Sequence, residues 1–185
     1  SQKLPTTIGY KKILTNLAKQ DNYSKLSETL LKSDLKPNEG KKSDPAHPAI
    51  YPTGETPKEL KPRVFKIYDI IVRRFMAVFG TPATRETMEI DIDVNKELFI
   101  TKGTRTVEPG WHIYYQPYLK LEEQTLPEAK KGDSVDIKKI SKLDKETTPP
   151  KRFTPASIIK ELEKRGLGTK ATRAQIVDPL VNRHY

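Results

Sequence analysis

"VFKIYDIIVRRFMAVFGTPATRETMEIDIDVN", residues 64–95, carries two periods in one run. Up to Phe79 the apolar residues recur every three or four positions, placing Ile67, Ile70, Ile71, Phe75 and Val78 on one helical face. Gly80 stands where it can cap that helix. After Thr81-Pro82 the spacing drops to two. Met88, Ile90, Ile92 and Val94 alternate with Glu89, Asp91, Asp93 and Asn95, the pattern of a half-buried strand. A helical block ends and a β block begins at this proline, so the chain is predicted to be α+β with proline-marked joints.

Upstream, "IGYKKILTNLAK" (8–19) shows a helical stripe of Ile8, Ile13, Leu14, Leu17 and Ala18, with Thr6 or Thr7 as N-cap. Residues 24–35 repeat it with Leu26, Leu30, Leu31 and Leu35. Downstream, "ELFITKGTR" (97–105) and "WHIYYQPYLK" (111–120) are predicted strands. "KKGDSVDIKKISKLDKE" (130–146) is predicted as a turn and a strand, with Val135, Ile137 and Ile140 on one side. Residues 84–148 thus form one small antiparallel β unit on this reading. After Thr148-Pro149-Pro150 the period is helical again. Thr154 is placed as N-cap, Pro155 as the first helical residue, Ile158, Ile159 and Leu162 as the face, and Gly166 as the end. A last helix is expected from about Lys170, bent or shortened by Pro179.

The composition narrows the partners. The 185 residues are 35% apolar and 31% charged, which points to an elongated or multi-lobed object rather than one ball. A net charge of +10 favours a polyanion, nucleic acid before an anionic membrane. A lysine-rich surface of a heat-adapted protein has the same composition. There is no cysteine, which excludes disulfides and thiolate metal sites. No apolar run is long enough to span a bilayer and no signal peptide opens the chain. A soluble, cytoplasmic protein without membrane attachment is expected. The start at Ser1, without methionine, fits a piece of something longer.

Two stretches could carry chemistry. The first is "SDPAHPAIYPTGE" (43–55), inside a 27-residue segment (36–62) that holds six prolines. Pro45, Pro48 and Pro52 stiffen the backbone around His47, and a preorganised imidazole is useful against a phosphate. An exposed loop histidine has the same sequence signature. The second is "RGLGTKATRAQI" (165–176), where Thr169, Lys170, Thr172 and Arg173 gather at a helix start behind two glycines. Free N–H groups, the helix dipole and these side chains would make a phosphate site there. An ordinary helix–turn–helix corner with a glycine C-cap fits equally well. The three histidines, His47, His112 and His184, are far apart, the carboxylates do not cluster, and neither a P-loop nor a Gly-x-Ser-x-Gly elbow occurs.

"AHPAIYPTGE" (46–55) followed by "PPKRFTPASIIKELEKRGLGTKATRAQIV" (149–177) resembles type IA DNA topoisomerases, most closely archaeal ones. The opening "SQKLP" is similar to the residues that follow that family's catalytic Tyr-x-Arg-Thr segment. The resemblance runs in order from Ser1 to Tyr185 and implies a toroidal, multi-domain parent. On it, residues 1–81 are the later part of the tyrosine-bearing domain III. Residues 82–150 are returning strands of the β arch, domain II, and residues 151–185 begin the return into domain IV. The nucleophile and the Toprim domain with its Mg²⁺ cluster would lie upstream, so the chain is an internal fragment, inactive alone, with no cofactor of its own.

The implied parent is a monomer that relaxes negatively supercoiled DNA. It cleaves one strand through a 5′-phosphotyrosyl bond, passes the other strand and religates. The resemblance implies that His47 binds the scissile phosphate and assists proton transfer. It implies that Gln2 and Lys3 steady the backbone, and that Thr169, Lys170, Thr172 and Arg173 grip single-stranded DNA. Bacterial members often carry Arg-Pro-Ser-Thr-Tyr where this chain has Thr-Lys-Ala-Thr-Arg. A non-catalytic single-strand-binding module, the topoisomerase part of a reverse gyrase, and a protein-interaction scaffold are the alternatives.

Overall fold

The computed structural model describes residues 3–40 and 49–184. The chain divides into two compact units, Ser1–Asp133 and Ser134–Tyr185.

The first unit begins with helices α1 (Tyr10–Leu17), α2 (Ser24–Leu31) and α3 (Pro62–Ala77). The predicted threonine N-cap is not used. Thr6–Ile8 form a 3₁₀ turn, and Gly9, at φ 74°, starts α1 without a side-chain cap. Only Gly, or a strained residue, takes that left-handed geometry readily. The second helix stops at Leu31, short of the predicted Leu35, which sits at φ 48° beyond it.

The core gathers Ile13, Leu14, Leu17, Tyr23, Leu30, Val72, Phe75, Met76 and Phe79. This corrects the expected face of α3. Asp69, Val72, Phe75 and Met76 are buried, whereas Ile67 is 56% exposed and Ile70 and Ile71 are half-buried. The helix is apolar on two sides, so periodicity alone could not say which side packs. The buried side carries Asp69, whose carboxylate accepts from Tyr23 Oη (2.8 Å), Tyr118 Oη (2.7 Å) and Arg73 Nε (3.0 Å). A buried carboxylate persists where donors replace its water.

Strands β1 (Thr84–Val94) and β2 (Glu97–Glu108) form one antiparallel hairpin in which Ile92 faces Phe99 and Thr87 faces Thr104. The predicted alternation holds, with Met88, Ile90, Ile92 and Val94 half-buried and their neighbours exposed. Asn95 and Lys96, both at positive φ, make the turn.

The two further strands are not formed. Trp111–Tyr115 instead enters helix α4 (His112–Tyr115), with Tyr114 buried against the core. Aromatic residues that read as strand are taken up by packing on α3. Gln124 donates its N–H to the Thr104 carbonyl (2.9 Å), and Glu123 accepts from the Thr106 N–H and hydroxyl, so residues 122–124 line the outer edge of β2. Residues 134–146 form no strand among the described residues, and Val135, Ile137 and Ile140 are exposed.

The hairpin's two ends cross at the helical body. Trp111 N–H donates to the Thr81 carbonyl (2.8 Å). A Cβ on Gly80 would lie 2.7 Å from Trp111 Cα, and one on Gly110 (φ 47°) would lie 2.4 Å from the Pro82 oxygen. Gly80 thus serves this crossing rather than a left-handed cap.

The second unit holds α5 (Pro155–Lys164) and α6 (Arg173–Asn182). Thr154 and Ser157 form the predicted cap reciprocally: Ser157 N donates to Thr154 Oγ1 (3.2 Å) and Thr154 N to Ser157 Oγ (2.7 Å). Gly166, at φ 67°, ends α5. The last helix begins at Arg173, three residues later than predicted, and runs past Pro179 to Asn182.

Candidate functional site

Two of the expected site residues, Gln2 and His47, lie outside the described residues. Lys3 is exposed. Its neighbour Leu4 is held at three points. Its side chain is 8% exposed within the core, its N–H donates to Glu39 Oε1 (2.5 Å), and its carbonyl accepts from Tyr10 Oη (3.2 Å). Burial, then the Glu39 carboxylate, push the Tyr10 phenol up, so it acts as a donor.

Leu4 lines a cavity of about 350 Å³ shared with Glu39, Gly40, Ala49, Arg74 and Phe75. Gly40 and Ala49 flank residues 41–48 in the chain. The cavity wall therefore joins the start of the described chain to both described ends of the proline-framed loop. Downstream the loop is anchored. Pro52 and Gly54 are buried, and a Cβ on Gly54 would come within 3.1 Å of Ile13 Cα. Tyr68 Oη donates to Gln20 Oε1 (3.1 Å).

Arg74 is exposed, with its guanidinium carbon 5.5 Å from the centroid of the Tyr115 ring. It has no carboxylate partner among the described residues. The cavity thus carries a cation whose fork is suited to phosphate. Neither Glu39 nor Arg74 was marked by the sequence, since each is one charge among several in its segment.

The second unit gathers the other expected residues at its helix corner. Thr169 N donates to Thr172 Oγ1 (2.8 Å), and Thr172 N donates to Thr169 Oγ1 (3.3 Å). Arg173 Nε and Nη2 donate to the carbonyls of Leu167 (3.0 Å) and Gly168 (3.1 Å). Gly168 takes φ 64° inside this loop. The corner is thus self-braced: two hydroxyls and the arginine hold the loop while the guanidinium keeps its charge and its remaining N–H donors. Lys170 is exposed beside them.

Among the described residues no group of three or more His, Asp or Glu side chains could hold a metal ion. No described helix is long and apolar enough to cross a membrane.

A family model described as DNA topoisomerase matches residues 1–185. The chain is 49% identical to "DNA topoisomerase 1" of Pyrococcus horikoshii over its whole length, which is 27% of that relative. It is 51% identical to "DNA topoisomerase 1" of Methanocaldococcus jannaschii, again over its whole length and 24% of the relative. Human "DNA topoisomerase 3-alpha" is 34% identical over 80% of this chain and 15% of the human protein. The chain spans about a quarter of the length of the archaeal relatives. It belongs to the DNA topoisomerase family, in its type IA branch.

Proposed function

We propose that this chain supplies part of the cleavage centre and part of the single-strand grip of a type IA topoisomerase that relaxes negatively supercoiled DNA. On this reading residues 1–81 belong to domain III, 82–150 to the β arch and 151–185 to domain IV of a toroidal, monomeric parent. A tyrosine preceding Ser1 attacks a backbone phosphorus. The P–O3′ bond breaks, leaving a 5′-phosphotyrosyl link and a free 3′-hydroxyl. The other strand passes, and the 3′-hydroxyl reverses the step. His47 binds the scissile phosphate and assists proton transfer, and Gln2 and Lys3 steady the adjoining backbone. Arg74 offers a cation to the same phosphodiester backbone. Thr169, Lys170, Thr172 and Arg173 contact single-stranded DNA. On this reading the Mg²⁺ ligands belong to the Toprim domain of the parent.

The observation that carries this reading is the unbroken match to the family along residues 1–185. The cavity between the chain start, the ends of the His47 loop and Arg74 supports it. The test uses the full parent protein and a labelled single-stranded oligonucleotide, quenched with detergent. A covalent adduct on the 5′-phosphate side is expected. His47→Ala should slow its formation, by less than the roughly 100-fold typical of losing a preorganised donor, because Arg74 remains. His47→Gln should retain more activity. No adduct from the wild-type parent refutes the reading. This chain alone should bind single strands with steep salt dependence and relax nothing.

A further inference from the structure

Leu4 is held through its N–H, its carbonyl and its side chain. Glu39 takes its N–H across 35 residues of sequence, Tyr10 takes its carbonyl, and the core takes its side chain. Both clamping residues are referred to one element. Asn38, next to Glu39, donates its N–H to the Val78 carbonyl (2.7 Å) at the end of α3. The Tyr10 ring packs 5.1 Å from that of Phe79, in the next turn of chain. Arg74 lies on the same helix, and Gly40 continues from Glu39. The C-terminal end of α3 is thus a common frame for the chain start, one end of the His47 loop and the cavity's cation.

We propose that Glu39 and Tyr10 are positioning residues, which clamp the Leu4 backbone and so set the place of the attacking residue relative to Arg74. The proposal rests on the reading that a nucleophilic tyrosine shortly precedes this chain. Glu39 Oε1 accepts the Leu4 N–H and Tyr10 Oη donates to the Leu4 carbonyl, so both act through the Leu4 backbone. Their effect is geometric. In-line attack tolerates little error, and misplacement by about 1 Å can cost about 100-fold in rate. A nucleophile only a few residues from Leu4 inherits any slack in it.

The test has two arms. In this chain, amide exchange at Leu4 is followed by NMR. Glu39→Ala should speed it at least about tenfold, the loss of one hydrogen bond to a charged group. Glu39→Gln, which keeps a carbonyl acceptor, should change it little. In the full parent, the rate of adduct formation is measured at saturating single-stranded oligonucleotide, beside oligonucleotide affinity and melting temperature. Glu39→Ala should lower the rate about 10- to 100-fold and Tyr10→Phe roughly fivefold, with affinity and melting temperature near wild type. Glu39→Gln should restore most of the rate.

Wild-type rates in folded Glu39→Ala and Tyr10→Phe overturn the proposal, and so does a loss that only tracks affinity or folded fraction. Unchanged Leu4 exchange in Glu39→Ala refutes the clamp itself. A wild-type parent that forms no adduct refutes the functional reading and the positioning role with it, whereas adduct formation with unaltered variant rates refutes the positioning role alone.

Discussion

Removing the Asp69 carboxylate isolates the energetics of the helical body. Asp69→Ala leaves Tyr23, 1% exposed, without an acceptor and strips Arg73, whose side chain is 18% exposed, of its ion pair. Breaking a buried pair from one side costs about 3–5 kcal/mol. Arg73 and Tyr118 can partly recover water, so the lower end applies: about 3 kcal/mol. Tyr118→Phe removes one donor to a charged acceptor near the surface and should cost about 1.5 kcal/mol. Urea unfolding at pH 7, followed by the fluorescence of Trp111, the chain's one tryptophan, reads this unit specifically. A pH series checks the same network. Burial, then hydrogen bonding to Asp69, raise Tyr118 to about 12, and burial with the same carboxylate raises Tyr23 further. A phenol raised in the folded state contributes stability that is complete below its unfolded value near 10. That stability drains away as pH climbs through 10 towards 12 and beyond. Tyr118→Phe should therefore soften the alkaline fall while lowering the plateau. An Asp69→Ala loss below about 1 kcal/mol, or an alkaline limb unchanged in Tyr118→Phe, would refute the reasoning.

Gly110→Ala should cost about 3 kcal/mol in urea unfolding, because a positive φ and a Cβ clash act together, whereas Gly132→Ala, at φ 96° in open space, should cost only about 1 kcal/mol. Arg173→Ala should weaken single-strand binding and lower its salt slope by about one, while Arg173→Lys keeps the charge but not the fork that braces the loop, giving an intermediate affinity by fluorescence anisotropy. Brief trypsin treatment should cut first at Lys138, Lys139, Lys142 or Lys145, in the exposed stretch without regular structure, before α1 to α3; mass spectrometry reads the sites.

The helices and the hairpin were legible because their periods are strong and their ends are marked. Thr154 and Pro155 give the start of α5, and the alternation from Met88 to Val94 gives β1. Phe75 was expected on the buried side of α3, but the rest of that side was not legible, since Ile67 and Ile71 compete with Val72 and Met76 and the choice is made by tyrosines distant in sequence. Nor was α4, where Trp111, Tyr114 and Tyr115 have strand propensity but dock on the core. Of the candidate site, the helix corner could be found from its glycines and threonines. Glu39 and Arg74 could not, because their meaning depends on contacts spanning tens of residues. His47 stands on the motif around it.

The crossing of Gly80, Thr81 and Pro82 with Gly110 and Trp111 makes the hairpin a lever. Its 11-residue strand extends for roughly 36 Å at about 3.3 Å per residue. Its root lies just beyond the end of α3, where the Trp111 N–H donates to the Thr81 carbonyl. A tilt of about 10° at the root would carry the Asn95–Lys96 turn about 6 Å, by the geometry of a rod of that length. A load on the tip of a rod this long acts with magnified leverage at its root, next in the chain to the end of α3, where Leu4, Glu39 and Arg74 line one cavity.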